Sequence, residues 1–266
     1  IMLVLSEERW RHPNLAGLHE VYHSATHILL RMDYGGPETL HRWLHGRHAA
    51  DPSGPLDLAE VTSIVGQIVR VVAHLHQGPR ICHRDIKADN IIVDHTPGTT
   101  LKLIDFDLAT VQSSGELCHK ICGTIPFTAP EVFMDHEYDG MAADIWSEGI
   151  VLFSIQCGYH SLDKIFALPK RPSQPQSTQA GKVWSKEDGR SIKGRFAQVD
   201  FASRMMGMHC HEKLRPLLPA MQPLFAGMCS ASVEQRWSAH QALHAVEHLD
   251  AHTSGVRGSA AAARPA

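Results

Sequence analysis

The sequence has no unbroken apolar run approaching the roughly 20 residues that a membrane-spanning helix needs. Nor does it open with a cationic stretch followed by an apolar core and small residues. The expectation is a chain without a membrane partner. Charge of one sign is also lacking: the formal net charge is −3 over 266 residues, so nothing global calls for nucleic acid or an anionic surface. Its six cysteines (Cys82, Cys118, Cys122, Cys157, Cys210 and Cys229) include no C-x-x-C pair. Scattered cysteines in a chain of this size fit reduced thiols, and hence a cytoplasmic or nuclear setting.

Histidine, by contrast, is abundant at 20 copies. The nearest approaches to a ligand cluster are His209-Cys210-His211 and Cys118/Cys122. Neither has a second pair at zinc-site spacing, so no structural metal is assigned. With 43% hydrophobic residues, the chain can bury one large core or two small lobes.

The densest chemistry lies in His83-Arg84-Asp85-Ile86-Lys87-Ala88-Asp89-Asn90, followed at once by the apolar run Ile91-Ile92-Val93. A carboxylate, an ammonium and an amide held between apolar flanks suit a catalytic loop better than a solvated turn. This stretch resembles the catalytic loop of eukaryotic protein kinases, H-R-D-[LI]-K-x-x-N followed by an apolar strand. Phosphoryl transfer asks a protein mainly for positioning and charge neutralisation. The resemblance implies Asp85 as base, Lys87 as the cation beside phosphate, and Asn90 as a Mg²⁺ ligand.

Before this loop, Ser6 to Arg11 reads as a helix end stopped by Pro13, similar to the end of the kinase C-helix. Leu15 to Tyr22 and Ile28 to Met32 read as strands. Asp33-Tyr34-Gly35-Gly36-Pro37-Glu38 resembles the hinge between kinase lobes. That resemblance implies Met32 as gatekeeper, the backbones of Asp33 and Gly35 against adenine, Glu38 toward the ribose, and Ile92 within the nucleotide site. Gly46 to Pro55 reads as a loop. In Leu58 to Gln77 apolar residues recur every three or four positions, predicting a helix.

After the loop, Leu101-Lys102-Leu103-Ile104 forms a short strand delivering Asp105-Phe106-Asp107. This resembles D-F-G, with Asp105 as the principal Mg²⁺ ligand. Asp107 stands where the family has glycine, which puts the segment's rearrangement in question more than its metal binding. Asp105 to Glu131 would be the activation segment. Ser113 and Ser114 are either phosphate acceptors, with Arg84 receiving the phosphate, or turn formers; the sequence leaves both open. Gly123-Thr124-Ile125-Pro126-Phe127-Thr128-Ala129-Pro130-Glu131 is similar to the G-T-x-x-[YF]-x-A-P-E of serine/threonine kinases. Thr124 would then bridge Asp85 and Lys87, and the acceptor would be serine or threonine. Asp144, opening an apolar helix, would brace the catalytic loop, and Arg236 would pair with Glu131. Ser238 to Gln241 matches a capping box.

The fold class expected is α+β and protein-kinase-like, mainly a helical C-lobe with a remnant of a β-rich N-lobe. Residues 1–32 would be partial N-lobe, 33–38 hinge, and 39–252 C-lobe. A basic insertion is expected at about 170–195 and a disordered tail at 253–266. No G-x-G-x-x-G loop and no V-A-I-K lysine is present, so the resemblance is to a kinase domain lacking most of its N-lobe, with little activity by itself. The implied cofactors are ATP and Mg²⁺. The implied partners are a protein with a Ser or Thr acceptor and an activating kinase, with no nucleic acid. The alternative is a pseudokinase-like scaffold that binds through the groove around Ile125 to Phe127 and the basic loop.

Overall fold

The computed structural model describes residues 1–50, 56–95, 98–158 and 218–262. In chain order its elements are α1 (Met2–Leu5), β1 (Leu18–His23), β2 (Ile28–Met32), β3 (Glu38–Thr39), α2 (Leu40–Ala50) and α3 (Leu58–Gln77). There follow β4 (Ile81–Cys82), β5 (Ile91–Asp94), β6 (Thr100–Leu103), β7 (Thr110–Val111) and α4 (Glu131–Met134). The last three are α5 (Gly140–Cys157), α6 (Gln222–Met228) and α7 (Ala239–Ala262).

The apolar stripe that predicts a helix over 58–77 does form α3. Asp57 caps it, accepting Glu60 N–H at 2.7 Å, while the Glu60 carboxylate takes Asp57 N–H at 3.1 Å, a reciprocal capping box. Val61, Ile64, Val65, Ile68, Val72 and Leu75 are all buried, and the helix packs against α7, α5 and β6. By length and composition alone the 20-residue α3 is apolar enough to cross a membrane, an 18-residue window of it having a mean hydropathy of 1.4. In this fold 61% of its apolar window is buried against protein instead.

Helix α5 is apolar on every side because it is enclosed on every side, running from Gly140 through Cys157 with almost all of its side chains buried. Asp139 starts it by accepting the amides of Met141 and Ala142. Trp146, Phe127 and Phe225 fill the centre of the core around it.

Three small antiparallel sheets position the loops. In the first, β5 lies between β3 and β6, with Ile91 opposite Leu103 and Ile92 opposite Lys102. That register puts Asn90, just before β5, level with Ile104, just after β6, and Ile104 N–H donates to Asn90 O at 2.9 Å. The two segments carrying candidate metal ligands are thereby joined. In the second, β4 pairs with β7, Cys82 opposite Thr110, tying the start of the catalytic loop to the activation segment. The third is the β1–β2 hairpin alone.

Three segments differ from the sequence reading. The predicted N-terminal helix end is two short pieces, α1 and a 3₁₀ turn at Glu8–Trp10, and the chain is extended at Arg11 ahead of Pro13. Helix α2 runs through Gly46 to Ala50, because burial of Leu40 and Leu44 one turn apart outweighs the roughly 1 kcal/mol that an interior glycine costs. Helix α7 continues past Thr253 to Ala262, so the tail expected to be disordered is helical over 253–262. The Ala260-Ala261-Ala262 run explains part of this, alanine having the highest helix propensity. The basic segment 170–195 and His209-Cys210-His211 lie outside the described residues.

Candidate active site

The catalytic loop hangs from one buried carboxylate. Asp144, fully buried on α5, accepts His83 N–H through Oδ2 and Arg84 N–H through Oδ1, each at 2.7 Å. His76, at the end of α3, brings its Nε2 to 3.0 Å from Asp144 Oδ2. Charge-assisted bonds to two successive amides fix the loop backbone and stabilise the positive φ of 63° at Arg84. His83 continues the linkage. Its Nδ1 accepts Asp85 N–H at 3.3 Å, so its Nε2 donates to Ile104 O at 3.0 Å. Its ring also lies 4.8 Å from that of Phe106.

This suspension presents a four-residue cluster. Thr124 Oγ1 donates to Asp85 Oδ1 at 2.7 Å, and Lys87 Nζ donates to Asp85 Oδ2 at 2.7 Å and to Thr124 Oγ1 at 2.8 Å. Asn90 Nδ2 donates to Asp85 O at 2.9 Å and to Asp85 Oδ2 at 3.1 Å. Thr124 therefore does sit between Asp85 and Lys87. With its nitrogen committed to Asp85, Asn90 has its amide oxygen left as the ligand end. The activation segment can come this close because of Gly123, whose φ is +108°. A Cβ there would stand 2.5 Å from Thr128 Oγ1 and 3.0 Å from Arg84 O, so only glycine fits.

Asp105 is exposed and adopts φ 65°, the left-handed region that aspartate tolerates better than most residues. Asp107, by contrast, is not among the positive-φ positions. The backbone therefore does not require glycine at the third position of Asp105-Phe106-Asp107. An exposed carboxylate and an amide oxygen form a hard-oxygen pair. That set suits Mg²⁺, which keeps waters and takes one or two carboxylates plus phosphate. Among the described residues no cluster of three or more His, Cys, Asp or Glu competes for a metal.

At the far end of the segment, Glu131 and Arg236 form a buried bidentate pair, Nη2 to Oε2 at 3.0 Å. Arg236 also donates to Ser230 O and Ala142 O at 3.0 Å, and its guanidinium lies over the Trp146 ring. Ser113 and Ser114 are exposed in a turn, where Glu116 N–H donates to Ser113 O at 3.1 Å and Glu116 Oε2 accepts Ser113 N–H at 3.1 Å. Arg84 donates through Nε to Leu108 O at 2.7 Å. It also lines a cleft of about 620 Å³ with Thr110, His119, Lys120 and Glu137. The two serines adjoin this cleft in sequence but do not line it.

The hinge residues gather at the other side of β5 and β6. Gly35 lies over Ile92: an added Cβ would be 3.1 Å from Ile92 Cβ. Gly36, at φ +138°, passes so close to Val93 O that a Cβ would come to 2.1 Å. Asp33 N–H donates to Gly17 O at 2.9 Å, and Met32 is partly buried at the end of β2. Glu38 is held in β3 opposite Val93. Burial alone would raise the Asp33 carboxyl, but Gly17 N–H, Lys102 and His19 hold it down at about 2.

Sequence reasoning missed His76 and Lys102. His76 shares a helix with an apolar stripe and gave no signal. Lys102 alternates with Leu101 and Leu103 as any solvent-side strand residue would.

This cluster lies on a buried loop hung from a central helix inside an α+β fold. Residues 4–246 match the protein kinase domain family, and the chain belongs to that family. Over 152 residues it is 40% identical to CBL-interacting serine/threonine-protein kinase 24 of Arabidopsis thaliana, covering 56% of this chain and 32% of that protein. It is 31% identical over 236 residues to ribosomal protein S6 kinase alpha-4 of Homo sapiens, covering 86% of this chain and 28% of that protein. A third relative is the serine/threonine-protein kinase SIK3 homolog of Danio rerio, 37% identical over 150 residues and covering 56% and 12%. The chain thus spans about a third or less of the length of these relatives. Their names place it among the serine/threonine protein kinases, a family in which ATP binding is typical.

Proposed function

We propose that this domain transfers the γ-phosphate of ATP to serine or threonine hydroxyls of a protein substrate. The observation that carries the reading is the Asp85–Lys87–Thr124–Asn90 cluster. Asp85 is held on both carboxylate oxygens, Oδ1 by Thr124 and Oδ2 by Lys87 and Asn90. So held, it orients an incoming hydroxyl and accepts its proton. Lys87, only 17% exposed, keeps positive charge beside the transferred group. Asn90 and Asp105 would hold Mg²⁺, which supplies neutralisation of the phosphate oxygens when bound. Met32, Asp33, Gly35 and Ile92 would enclose the base, with Glu38 toward the ribose. Phosphorylation of Ser113 or Ser114 by an upstream kinase would place a dianion near Arg84 and order the segment. The 266-residue segment by itself transfers little phosphate, since it holds no G-x-G-x-x-G loop and no V-A-I-K lysine to position the phosphates.

A second reading, a non-catalytic binding scaffold, draws on Asp107 replacing glycine. The test is phosphate transfer by the full natural polypeptide that contains this domain, parent against Asp85→Asn, with thermal unfolding as the fold control. The catalytic reading expects Asp85→Asn to lose about 10²- to 10⁴-fold in rate with its melting unchanged. A folded parent that transfers nothing favours the scaffold.

A further inference from the structure

Lysine 102 joins three segments that are far apart in the chain. Its Nζ lies 3.0 Å from Asp33 Oδ2, 3.1 Å from Pro13 O and 3.3 Å from Leu15 O. An ammonium has three N–H donors and no acceptor, so this head group is fully committed. It is a structural tie and is not free to meet a ligand. Asp33 is committed in the same way. Its Oδ2 also accepts Gly17 N–H at 3.0 Å, its Oδ1 meets His19 Nε2 at 2.7 Å, and its own N–H donates to Gly17 O.

The stem of the same lysine supports the hinge two residues further on. Lys102 Cβ would lie 3.3 Å from a Cβ added at Gly35, in the same contact that brings Ile92 to 3.1 Å. Lys102 and Ile92 are directly paired across β5 and β6. Through its head at Asp33 and its stem beside Gly35, one side chain therefore ties the hinge at two points to β6. It does so from the strand that ends at Asp105.

We propose that Lys102 is a positioning residue for the nucleotide's purine ring, acting through Asp33 and Gly35; this rests on the kinase reading of the hinge. Lys102 fixes the hinge backbone that would face the base. Removing it loosens recognition of the base and leaves recognition of the phosphates untouched. A purely structural lysine would lower stability without separating the two halves of the ligand.

The test is binding rather than turnover. Competition against a fluorescent ATP analogue would give the affinities of adenosine and of tripolyphosphate with Mg²⁺ for the parent, Lys102→Met, Lys102→Arg and Asp33→Asn. Thermal unfolding without ligand is recorded alongside. The expectation is that Lys102→Met weakens adenosine about tenfold while tripolyphosphate stays within about twofold. Lys102→Arg retains most of the adenosine affinity, and Asp33→Asn shows the same pattern as Lys102→Met in weaker form. Unchanged adenosine binding in folded Lys102→Met or Asp33→Asn, or equal losses for both probes, overturns the proposal. A folded parent that binds the analogue and tripolyphosphate but not adenosine also overturns it, with the kinase reading left standing. If the folded parent fails to bind even the analogue, the kinase reading falls and this role falls with it.

Discussion

The catalytic loop and the β1–β2 hairpin are built in opposite ways. Around Asp85 nearly every polar atom has a partner and the supporting residues are buried, Asp144 at 0% and Arg236 at 6% exposure. On the hairpin, Tyr22, Ile28, Leu29 and Leu30 are 51–64% exposed, and its two strands pair only with each other. An isolated two-stranded hairpin is marginal in water. The comparison teaches where this domain keeps its stability. It lies in the helices around α5 and the ion pairs that tie the loops to them, and very little of it lies in the hairpin.

The contrast can be broken most severely at the Glu131–Arg236 pair. Arg236→Ala leaves a buried carboxylate without its partner and is expected to cost about 3–5 kcal/mol, read from urea unfolding. Next comes Asp144→Ala, which strips charge-assisted acceptors from the amides of His83 and Arg84. A loss of about 2–3 kcal/mol is expected, together with loss of phosphate transfer by the full natural polypeptide; unaltered transfer would show that the loop does not depend on α5.

Glu148 sharpens the comparison from inside the stable region. It is 3% exposed, and neither carboxylate oxygen has a hydrogen-bond partner among the described residues. Burial, and then the nearby Asp144, push its carboxyl well above the ordinary 4.5. A folded-state value above the unfolded one means that the native chain holds the proton more tightly. The stability this gives is present below about 4.5 and is lost as pH rises toward the folded value. Glu148→Leu should therefore stabilise by about 1–2 kcal/mol at neutral pH, with a smaller gain at pH 5. A gain that does not change between pH 5 and 8 would mean that Glu148 is ionised in the folded chain throughout that range, as it is in the unfolded chain. The smallest effect belongs to the hairpin. Leu29→Ser and Ile28→Thr should each change unfolding by no more than about 0.5 kcal/mol. A loss above about 1.5 kcal/mol would place the hairpin under cover.

Much of the fold was legible locally. The apolar stripe of 58–77 is α3 to the residue, and Ser238 to Gln241 is a capping box in the structure, Ser238 N–H donating to Gln241 Oε1 at 2.8 Å. The strand 28–32 was also read with its full extent. Helix ends were less legible. Gly46 and the 253–262 stretch look like breakers in composition, yet neighbouring buried leucines and alanine propensity carry the helices through them. The N-terminal turn was misjudged in the other direction, because Pro13 marks where a helix must have ended but not how much of one precedes it.

By itself the sequence determined the chemistry. Asp85, Lys87 and Asn90 are close in the chain, and a tight loop between apolar flanks cannot scatter them. The tertiary structure alone decided two ties, one at the loop and one at the hinge. His76 and Asp144 meet across 68 positions and Lys102 and Asp33 across 69, whereas the Arg236–Glu131 pair was already implied by the resemblance. Spacing along the chain carries no trace of such partners, because they are selected by which buried charges and orphaned amides the packed helices bring face to face.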